Sequence, residues 1–410
     1  EPRKVIRYVP IIDEALKIAE MSDLQRLIVQ RHDIAYELDL NPDLYKDYHT
    51  EMAKTKEGMD AVTVNANHEL YILYTSGTTG APKGIVRDTG GTVVGLNYVM
   101  DIVFNIQPGD VWFAGSDIGW VVGHSFIVYG PLIRGSTTLF FEGKPVGTPD
   151  PGAFWRIVQD YKPHSIYCAP TAIRIIKKED YHGEYIKKYD VSSLKSILLV
   201  GERCDPDTIL WLADKFPNAL LNDTWWQTET GWPMCSNFGN LHRFPLHPGS
   251  CTKPVPGWEI NILGDHNEEL EPPALGKVAV KCPPPPSFML TLWGNDETFV
   301  QKYFSDSPGY YTTGDAGYFN ENGYLHIMTR MDDVINTAGH RLSTGRFEEV
   351  INEHPYIAES AVIGLWDEVR GDTPFALIIP ASGVEYNEDD IKKEIVAKVR
   401  SDIGAFARLS

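Results

Sequence analysis

Residues 196–216, SILLVGERCDPDTILWLADKF, decide the fold. The first five residues are a short apolar run that stops at Gly201, a pattern typical of a buried strand followed by a turn. Asp205 and Pro206 then supply an N-cap and a proline in the first helical turn, which predicts a helix through Phe216. The stretch is therefore a strand–turn–helix unit.

The segments on either side repeat this unit with a spacing of roughly thirty residues, which is typical of parallel crossovers. Strands are predicted at residues 136–141, 164–168, 196–200 and 219–222. Helices are predicted to begin at Asp150–Pro151, Pro170 and Asp205–Pro206. LYILY, residues 70–74, indicates a further buried strand. The pattern predicts an α/β fold, with a large domain built mostly on parallel sheets.

The second half of the chain has a different character. From Gly249 to Met328 prolines are frequent and we predict no helix, but a hairpin around Asn322–Gly323. Beyond Arg330, strands at 357–363 and 375–379 and helices at 344–353 and 387–402 predict a small α+β domain. We therefore expect a large domain with a β-rich subdomain at 1–330 and a small mobile domain, incomplete at its end, at 331–410.

Composition limits the classes of partner. The chain has 410 residues and a net charge of −19, which argues against nucleic acid and anionic membranes. No apolar run approaches the length of a membrane span, and small molecules are the expected partners. Five cysteines without a CxxC pattern favour reduced thiols inside the cell, in cytoplasm or mitochondrial matrix. Because the first residue is Glu1, we expect a chain trimmed at its start.

Ligands of open parallel sheets bind beyond the carboxyl ends of the strands. A polar or glycine-rich segment follows each of four predicted strands: TSGTTGAPKG after residue 74, APT after 168, GERCD after 200 and DTWWQTETG after 222. We expect these segments to meet at one edge of the sheet. The sequence therefore predicts one site there for a polar ligand.

The glycine-rich stretch YTSGTTGAPKG, residues 74–84, has the elements of a phosphate site. It lacks the P-loop pattern, because Pro82 precedes Lys83 and Gly84 follows it where a hydroxyl residue is required. Backbone amides freed by glycine, several hydroxyls and the Lys83 ammonium remain as phosphate ligands. A flexible surface loop is the alternative, and the strand in front makes it the weaker one.

Five motifs in order resemble the signatures of the adenylate-forming superfamily of acyl-CoA synthetases, adenylation domains and luciferases. They are YTSGTTGAPKG (74–84), GERCD (201–205), DTWWQTETG (223–231), YTTGDAGY (311–318) and TRMDDVINTAGHRLS (329–343). The resemblance covers about residues 65–405. SDIGWVVGHSFIVYGPL (116–132) and WWQTETG are similar to acetyl- and propionyl-CoA synthetases, and IVRDTGG (85–91) favours the propionyl branch.

The resemblance implies an AMP-forming short-chain fatty acid–CoA ligase. ATP, propionate or acetate, and coenzyme A would give acyl-CoA, AMP and pyrophosphate through an acyl-adenylate, with Mg²⁺ as the metal. Three alternatives stay open: an acetyl-CoA synthetase proper, an adenylation domain that loads a carrier protein, and a non-catalytic nucleotide-binding homologue. The lysine that drives adenylation in the family would lie beyond Ser410, and we expect the chain to be a fragment.

The resemblance also implies roles for individual residues. The catalytic residues would be Lys83, Glu229 and Arg341, with Glu229 as the Mg²⁺ ligand. ATP or AMP would be bound by Thr75, Ser76, Gly77, Thr78, Thr79, Gly80, Gly201, Glu202, Arg203, Asp223, Thr224, Trp225, Gln227, Thr228, Asp315 and Arg330. Purely structural roles are the alternatives for four of these residues. Asp315 could be a turn aspartate, Arg330 and Arg341 could be surface charges, and Glu229 could cap a helix.

The remaining roles concern the acyl chain, coenzyme A and domain motion. Trp226 would form the end wall of an acyl pocket, and its indole would leave room for a short chain only. The other pocket residues would be Val121, Val122 and Val200. Coenzyme A would be bound by Gly339 and Arg400, and Asp332 would be the hinge. Arg400 could equally be an ordinary helix-end arginine.

Overall fold

The computed structural model describes residues 7–30, 40–56, 58–75, 82–331, 335–337, 340–367, 371–380, 386–404, 407 and 409. Compactness divides the chain into two units, residues 1–64 and 65–410. The described α-helices are α1 (Val9–Ile18), α2 (Tyr48–Met52), α3 (Thr89–Ile102), α4 (Val121–Gly123), α5 (Gly130–Arg134), α6 (Ala153–Tyr161), α7 (Pro170–Glu179), α8 (Glu184–Lys188), α9 (Pro206–Lys215), α10 (Asp296–Phe304), α11 (Thr344–Asn352) and α12 (Glu388–Asp402), and a π-helix, His124–Tyr129, lies between α4 and α5.

Strands occupy the following ranges of the described chain: β1 (Arg26–Ile28), β2 (Tyr45–Asp47), β3 (Glu69–Thr75), β4 (Lys83–Asp88), β5 (Val111–Gly115), β6 (Thr137–Leu139), β7 (Ser165–Cys168), β8 (Ser196–Leu199), β9 (Leu220–Asp223), β10 (Cys235–Ser236), β11 (Lys253–Pro254), β12 (Ile260–Leu263), β13 (Gly276–Lys281), β14 (Thr291–Leu292), β15 (Tyr310–Phe319), β16 (Leu325–Arg330), β17 (Ile335–Thr337), β18 (His340–Leu342), β19 (Ile357–Asp367) and β20 (Gly371–Pro380). In the first unit β1 pairs in parallel with β2, and α1 has no buried residue.

The centre of the second unit is a five-stranded sheet in the order β6-β5-β7-β8-β9. Each described pairing in it is parallel, which confirms the predicted α/β fold. Every residue of β7 and β8 is buried, as expected for strands covered on both faces. One face packs against a cluster that includes Trp155 and Leu212, and the other against a cluster that includes Trp112 and Phe126.

The strand–turn–helix unit at 196–216 has the predicted form. β8 ends at Leu199 and α9 begins at Pro206, with Asp205 as the N-cap. The Asp205 Oδ1 accepts a hydrogen bond from the Thr208 amide at 2.8 Å. The helix predicted at Asp150–Pro151 begins later, at Ala153, because the Asp150 carboxylate accepts the Gly152 amide in a turn before it.

The sequence prediction was wrong about one strand and missed several elements, α3 among them. The strand at 70–74 lies outside the parallel sheet: β3 pairs antiparallel with β4 at the edge of the sheet β14-β4-β3, and Tyr74 is 60% exposed. An apolar run alone does not separate an edge strand from a central one. β5 (VWFAG) was missed, as was α10, whose N-cap Asn295 accepts the Thr298 amide.

The β-rich part is an antiparallel sheet in the order β12-β13-β15-β16. β15 and β16 form the predicted hairpin around Asn322–Gly323, with Phe319 opposite Leu325. A bulge interrupts the pairing of β13 with β15: Val278 faces Asp315 while Ala279 faces Thr312. This bulge sets the direction of the Asp315 side chain.

The C-terminal part has the predicted α+β elements. The sheet runs β18-β17-β20-β19, and its buried core includes Phe347 and Val350 of α11 and Ile391 and Ile395 of α12. Within the described residues, no helix combines the length and apolarity needed to cross a membrane.

Replacing the N-cap residue of α9 tests how much the cap stabilises the strand–turn–helix unit at 196–216. Asp205→Ala removes the acceptor of the Thr208 amide, and we expect the free energy of unfolding to fall by about 1 kcal/mol. Urea unfolding followed by circular dichroism measures it. Asp214→Ala, at an exposed position of α9, is the matched control and should change the free energy by less than about 0.5 kcal/mol. Equal effects of the two changes would contradict the capping role.

Candidate functional site

A cavity of about 340 Å³ lies at the carboxyl ends of β8 and β9, between the loops that follow them and the hairpin β15–β16. Of the residues predicted from the sequence, it is lined by Gly201, Glu202, Arg203, Asp223, Thr224, Trp225, Trp226, Gln227, Asp315 and Arg330. Residues to which the sequence analysis gave no individual role also line it: Gly249, Cys251, Ile327, Met328 and Thr329. The first four lie in segments without a distinctive motif, and Thr329 begins the motif at 329–343.

The Asp315 carboxylate is the centre of a hydrogen-bond network on the cavity wall. Its Oδ2 accepts from the Trp225 Nε1 at 3.1 Å and from the Gln227 Nε2 at 2.8 Å. Its Oδ1 accepts from the Arg330 Nη1 at 3.1 Å. Burial raises the pKa of Asp315 to about 6, although the Arg330 guanidinium opposes that rise. The carboxylate is therefore mostly ionised at neutral pH.

A buried arginine holds the turn at residues 228–231 in place. Arg87 is 1% exposed, and its Nη1 donates to the Glu229 carbonyl oxygen at 3.2 Å, while Nη2 donates to the carbonyl of Thr228. Gly231 adopts a φ of +84°, and a Cβ there would lie 2.5 Å from the Ser287 carbonyl oxygen. The sequence analysis missed Arg87, although an arginine in the buried strand GIVRD was a signal.

Glu229 and Lys83 form the charged end of the site. The Tyr303 hydroxyl donates to the Glu229 Oε1 at 2.8 Å. Lys83 begins β4 and pairs with Thr75 at the end of β3. Burial and, after it, the neighbouring Lys302 ammonium together lower the pKa of Lys83 to about 8, and the Glu229 carboxylate opposes the shift. Lys302 and Tyr303 lie on α10, a helix that the sequence analysis did not predict.

The loop after β8 connects the cavity to two helices. The Glu202 carboxylate is paired with the Arg174 Nη2 at 2.6 Å. The Arg203 Nη2 lies 3.3 Å from the Glu349 Oε1 of α11. The Asp223 Oδ2 accepts the Cys204 amide at 2.9 Å, and burial raises the pKa of Asp223 to about 7.

The Trp226 indole closes another side of the cavity. Its Nε1 donates to the Tyr167 hydroxyl at 2.9 Å, and its ring lies edge-on to Phe126 with centroids 5.4 Å apart. Val122 and Val200 are buried in the hydrophobic cluster against which Trp226 packs. Val121, half-buried, is the first residue of α4. Tyr167 was missed because a tyrosine inside a buried strand has the pattern of a core residue.

Some predicted site residues are not described, wholly or in part. Outside the described residues lie Ser76, Gly77, Thr78, Thr79, Gly80, Asp332 and Gly339. Arg341 belongs to β18, but its side chain is not described. Arg400 is exposed in the last turn of α12, and Thr228 contributes its carbonyl to the Arg87 contact.

The raised pKa of Asp223 predicts how stability changes with pH. Its unfolded value is about 3.9 and its folded value about 7, so the folded state binds the proton more tightly. The contribution of Asp223 to the free energy of unfolding therefore falls as pH rises between these values. Asp223→Asn removes the titrating group, so this pH-dependent loss of stability should be absent in the variant. The free energy of unfolding of Asp223→Asn minus that of the unaltered chain should therefore rise from pH 4.5 to pH 7. Urea unfolding at several pH values measures the difference.

The exposed Asp214→Asn change is the control for Asp223→Asn, and its effect on stability should not vary with pH in this way. A difference between Asp223→Asn and the unaltered chain that stays constant from pH 4.5 to pH 7 would contradict the raised pKa.

Comparisons with protein families confirm the resemblance drawn from the motifs. A family model described as AMP-binding enzyme matches residues 8–291. A second model, described as AMP-binding enzyme C-terminal domain, matches residues 346–410. The first match alone covers more than half of the chain.

Curated relatives extend along nearly the whole chain. An uncharacterized protein of Pseudomonas aeruginosa is 45% identical over 404 residues, 98% of this chain and 64% of its own length. Acyl-CoA synthetase short-chain family member 3, mitochondrial, of Homo sapiens is 45% identical over 410 residues, 99% of this chain and 59% of its own. An acetyl-coenzyme A synthetase of Methanothrix soehngenii is 41% identical over 368 residues, 88% of this chain and 54% of its own. The chain thus spans less than two thirds of these relatives.

Solved structures share the fold at low sequence identity. An anthranilate CoA ligase in complex with anthranoyl-AMP superposes with a TM-score of 0.81 at 21% identity, over 98% of this chain and 71% of the other. Acetoacetyl-CoA synthetase from Streptomyces lividans gives a TM-score of 0.82 at 22% identity, over 97% and 59%. Fold, motif order and family match agree: the chain belongs to the family of AMP-binding enzymes.

Proposed function

We propose that the protein is a short-chain fatty acid–CoA ligase. ATP and propionate, or acetate, would form an acyl-adenylate and pyrophosphate, and the thiol of coenzyme A would then displace AMP. The observation that carries the proposal is one cavity in which the Asp315 network and the Trp226 indole lie together. A polar wall suits a nucleotide, and an indole beside it suits a short apolar chain.

The nucleotide would lie along the polar wall. Gly201, Glu202 and Arg203 would flank the adenine, and the ionised Asp315 would accept hydrogen bonds from the ribose hydroxyls. Arg330 keeps that carboxylate in place and charged. Asp223, Thr224 and Trp225 would complete the wall, and Gln227 and Thr228 would contact the α-phosphate.

The phosphates would meet the charged end of the site, from Thr75 to Lys83. With a pKa of about 8, the Lys83 ammonium is mostly protonated at neutral pH, and added phosphate charge would hold the proton more firmly. Lys83 would thus assist the departure of pyrophosphate, with Arg341 approaching the phosphates from the C-terminal part. The charge that develops on phosphate oxygens is where such cations stabilise a transition state.

Glu229 fits the requirements of a Mg²⁺ ligand. Hard cations prefer carboxylate oxygens, and the Tyr303 hydroxyl orients this carboxylate through its Oε1. When bound, Mg²⁺ would neutralise phosphate charge. Glu229 is itself held by Arg87 through its carbonyl oxygen, so both its backbone and its side chain are fixed before ligand arrives.

The acyl chain would point towards Trp226, with Val121, Val122 and Val200 as the other walls. The names of the Homo sapiens and Methanothrix soehngenii relatives, a short-chain acyl-CoA synthetase and an acetyl-coenzyme A synthetase, agree with a short acid. The mitochondrial relative also supports an intracellular location.

The second half-reaction would involve the C-terminal part. We propose that residues 331–410 form a domain separate from 1–330, with a hinge at Asp332. Coenzyme A would approach past Gly339, and Arg400 would meet its 3′-phosphate. The exposed position of Arg400 on α12 permits such a contact.

A panel of acids tests the proposed reaction. In acid-dependent exchange of pyrophosphate into ATP, the complete gene product should respond to propionate and acetate, weakly to butyrate and not to octanoate. A missing methylene costs only about 1–3 kcal/mol, so acetate should retain activity if propionate is preferred. Omitting the acid is the control. No exchange with any acid would refute the ligase, and strong exchange with octanoate would refute the short pocket.

Widening the pocket tests the role of Trp226. Trp226→Gly removes the indole, and we expect discrimination against butyrate relative to propionate to weaken by about tenfold or more. The ratio of kcat/KM values for the two acids measures it. Trp366→Gly, at a tryptophan that is 77% exposed on β19, is the matched control. An unchanged ratio in Trp226→Gly would show that the indole is not the wall.

A further inference from the structure

Tyr167 is a buried residue for which the proposed reaction so far has no role. It lies on β7, is fully buried, and its hydroxyl is 2.9 Å from the Trp226 Nε1 and 3.0 Å from the Thr224 Oγ1. The Thr224 Oγ1 in turn lies 2.7 Å from the Leu199 carbonyl oxygen. Four groups thus form a continuous chain of hydrogen bonds from the acyl wall to the end of β8.

The chemistry of the end groups fixes the direction of this chain. An indole N–H can only donate and a carbonyl oxygen can only accept. Trp226 therefore donates to Tyr167, Tyr167 to Thr224, and Thr224 to Leu199. Each hydroxyl then uses its single proton, and no other arrangement satisfies all four groups.

The Tyr167 ring has little freedom to move its hydroxyl. Its centroid lies 5.0 Å from that of Phe104, 5.3 Å from Phe126 and 5.7 Å from Trp112. Burial also raises the pKa of Tyr167, so the hydroxyl keeps its proton. Trp226, by contrast, is only half-buried, and this bond ties its one polar atom to a rigid group.

We propose that Tyr167 is a positioning residue that sets the acyl-chain limit by holding the Trp226 indole in place. The inference rests on the proposed function, because it takes Trp226 as the end wall of the acyl pocket. Without the bond, the indole N–H has no fixed partner and the ring can turn to another rotamer. A longer acyl chain can then displace the Trp226 indole. In a variant that lacks only the Tyr167 hydroxyl, the aromatic ring at position 167 still fills the core.

Tyr167→Phe separates positioning from packing, because it removes the hydroxyl and keeps the ring. Alkyl esters of AMP serve as probes, since the alkyl group stands for the acyl chain and no turnover is required. Isothermal titration of the 410-residue chain with AMP, propyl-AMP and pentyl-AMP gives the preference for the shorter ester. We expect this preference to fall about tenfold in Tyr167→Phe, within the range that pocket contacts supply. AMP affinity should stay within about twofold, since Thr224 keeps its bond to Leu199.

Tyr324→Phe is the matched control. Tyr324 is 7% exposed and donates one hydrogen bond, to the Pro245 carbonyl oxygen at 3.1 Å, outside the cavity lining. Its loss should leave the preference for propyl-AMP unchanged. An equal fall in Tyr324→Phe would show a general effect of losing a buried hydroxyl and would overturn the proposal.

A double-mutant cycle tests whether Tyr167 acts through the indole N–H. Trp226→Phe lacks that donor, so adding Tyr167→Phe to it should cause no further loss of preference. Additive losses, or an unchanged preference in Tyr167→Phe alone, would overturn the inference and leave the proposed function standing. If the unaltered chain binds neither AMP nor its esters, the proposed function fails and the inference fails with it.

Discussion

The buried carboxylate of Asp315 joins two parts of the structure that belong to different sheets. Asp315 comes from β15 of the antiparallel sheet, while Trp225 and Gln227, which donate to it, follow β9 of the parallel sheet. A buried charge is tolerable only when several donors satisfy it, and here Arg330 supplies a third. Trp225 and Gln227 thus tie the hairpin β15–β16 to the loop after β9, and the cavity lies between them.

The two sheets contribute different things to the site. The parallel sheet supplies loops at strand ends, where backbone and polar side chains are free to meet a ligand. The antiparallel sheet supplies a wall, and its bulge at residues 312–315 turns the carboxylate towards the loop after β9. Arg87 adds a third support from β4, since it fixes the turn that contains Glu229. Within the described residues, the wall of the cavity is therefore held in place by contacts of the protein itself.

Four of the five strands of the parallel sheet and the polar segments after β8 and β9 could be predicted because their signals are local, whereas Asp315 and Arg330 were expected only from the resemblance. Caps, prolines and glycine turns lie within a few residues of the elements they define, as Asp205 and Pro206 do for α9. The pairing of β3 could not be predicted, because the partner of a strand depends on distant residues. Arg87 and Tyr167 act through contacts more than fifty residues away in sequence. An arginine in the buried strand GIVRD was a signal for Arg87, whereas no local pattern distinguishes Tyr167 from a core residue. The sequence of α10 has an N-cap residue and an acidic first turn, which are helix signals. They were overlooked because the frequent prolines of the surrounding segment favoured extended structure.

Trp225 and Trp226 are neighbours in sequence and serve opposite sides of the cavity. The first donates to Asp315 and the second to Tyr167, as expected when successive side chains of an extended segment alternate in direction. The positions of both walls therefore depend on one pair of adjacent residues. Inserting or deleting one residue ahead of this pair would turn each side chain to the opposite side of the segment, so that both walls would lose their indole contacts together. Lineages could vary the residues of this loop far more readily than its length.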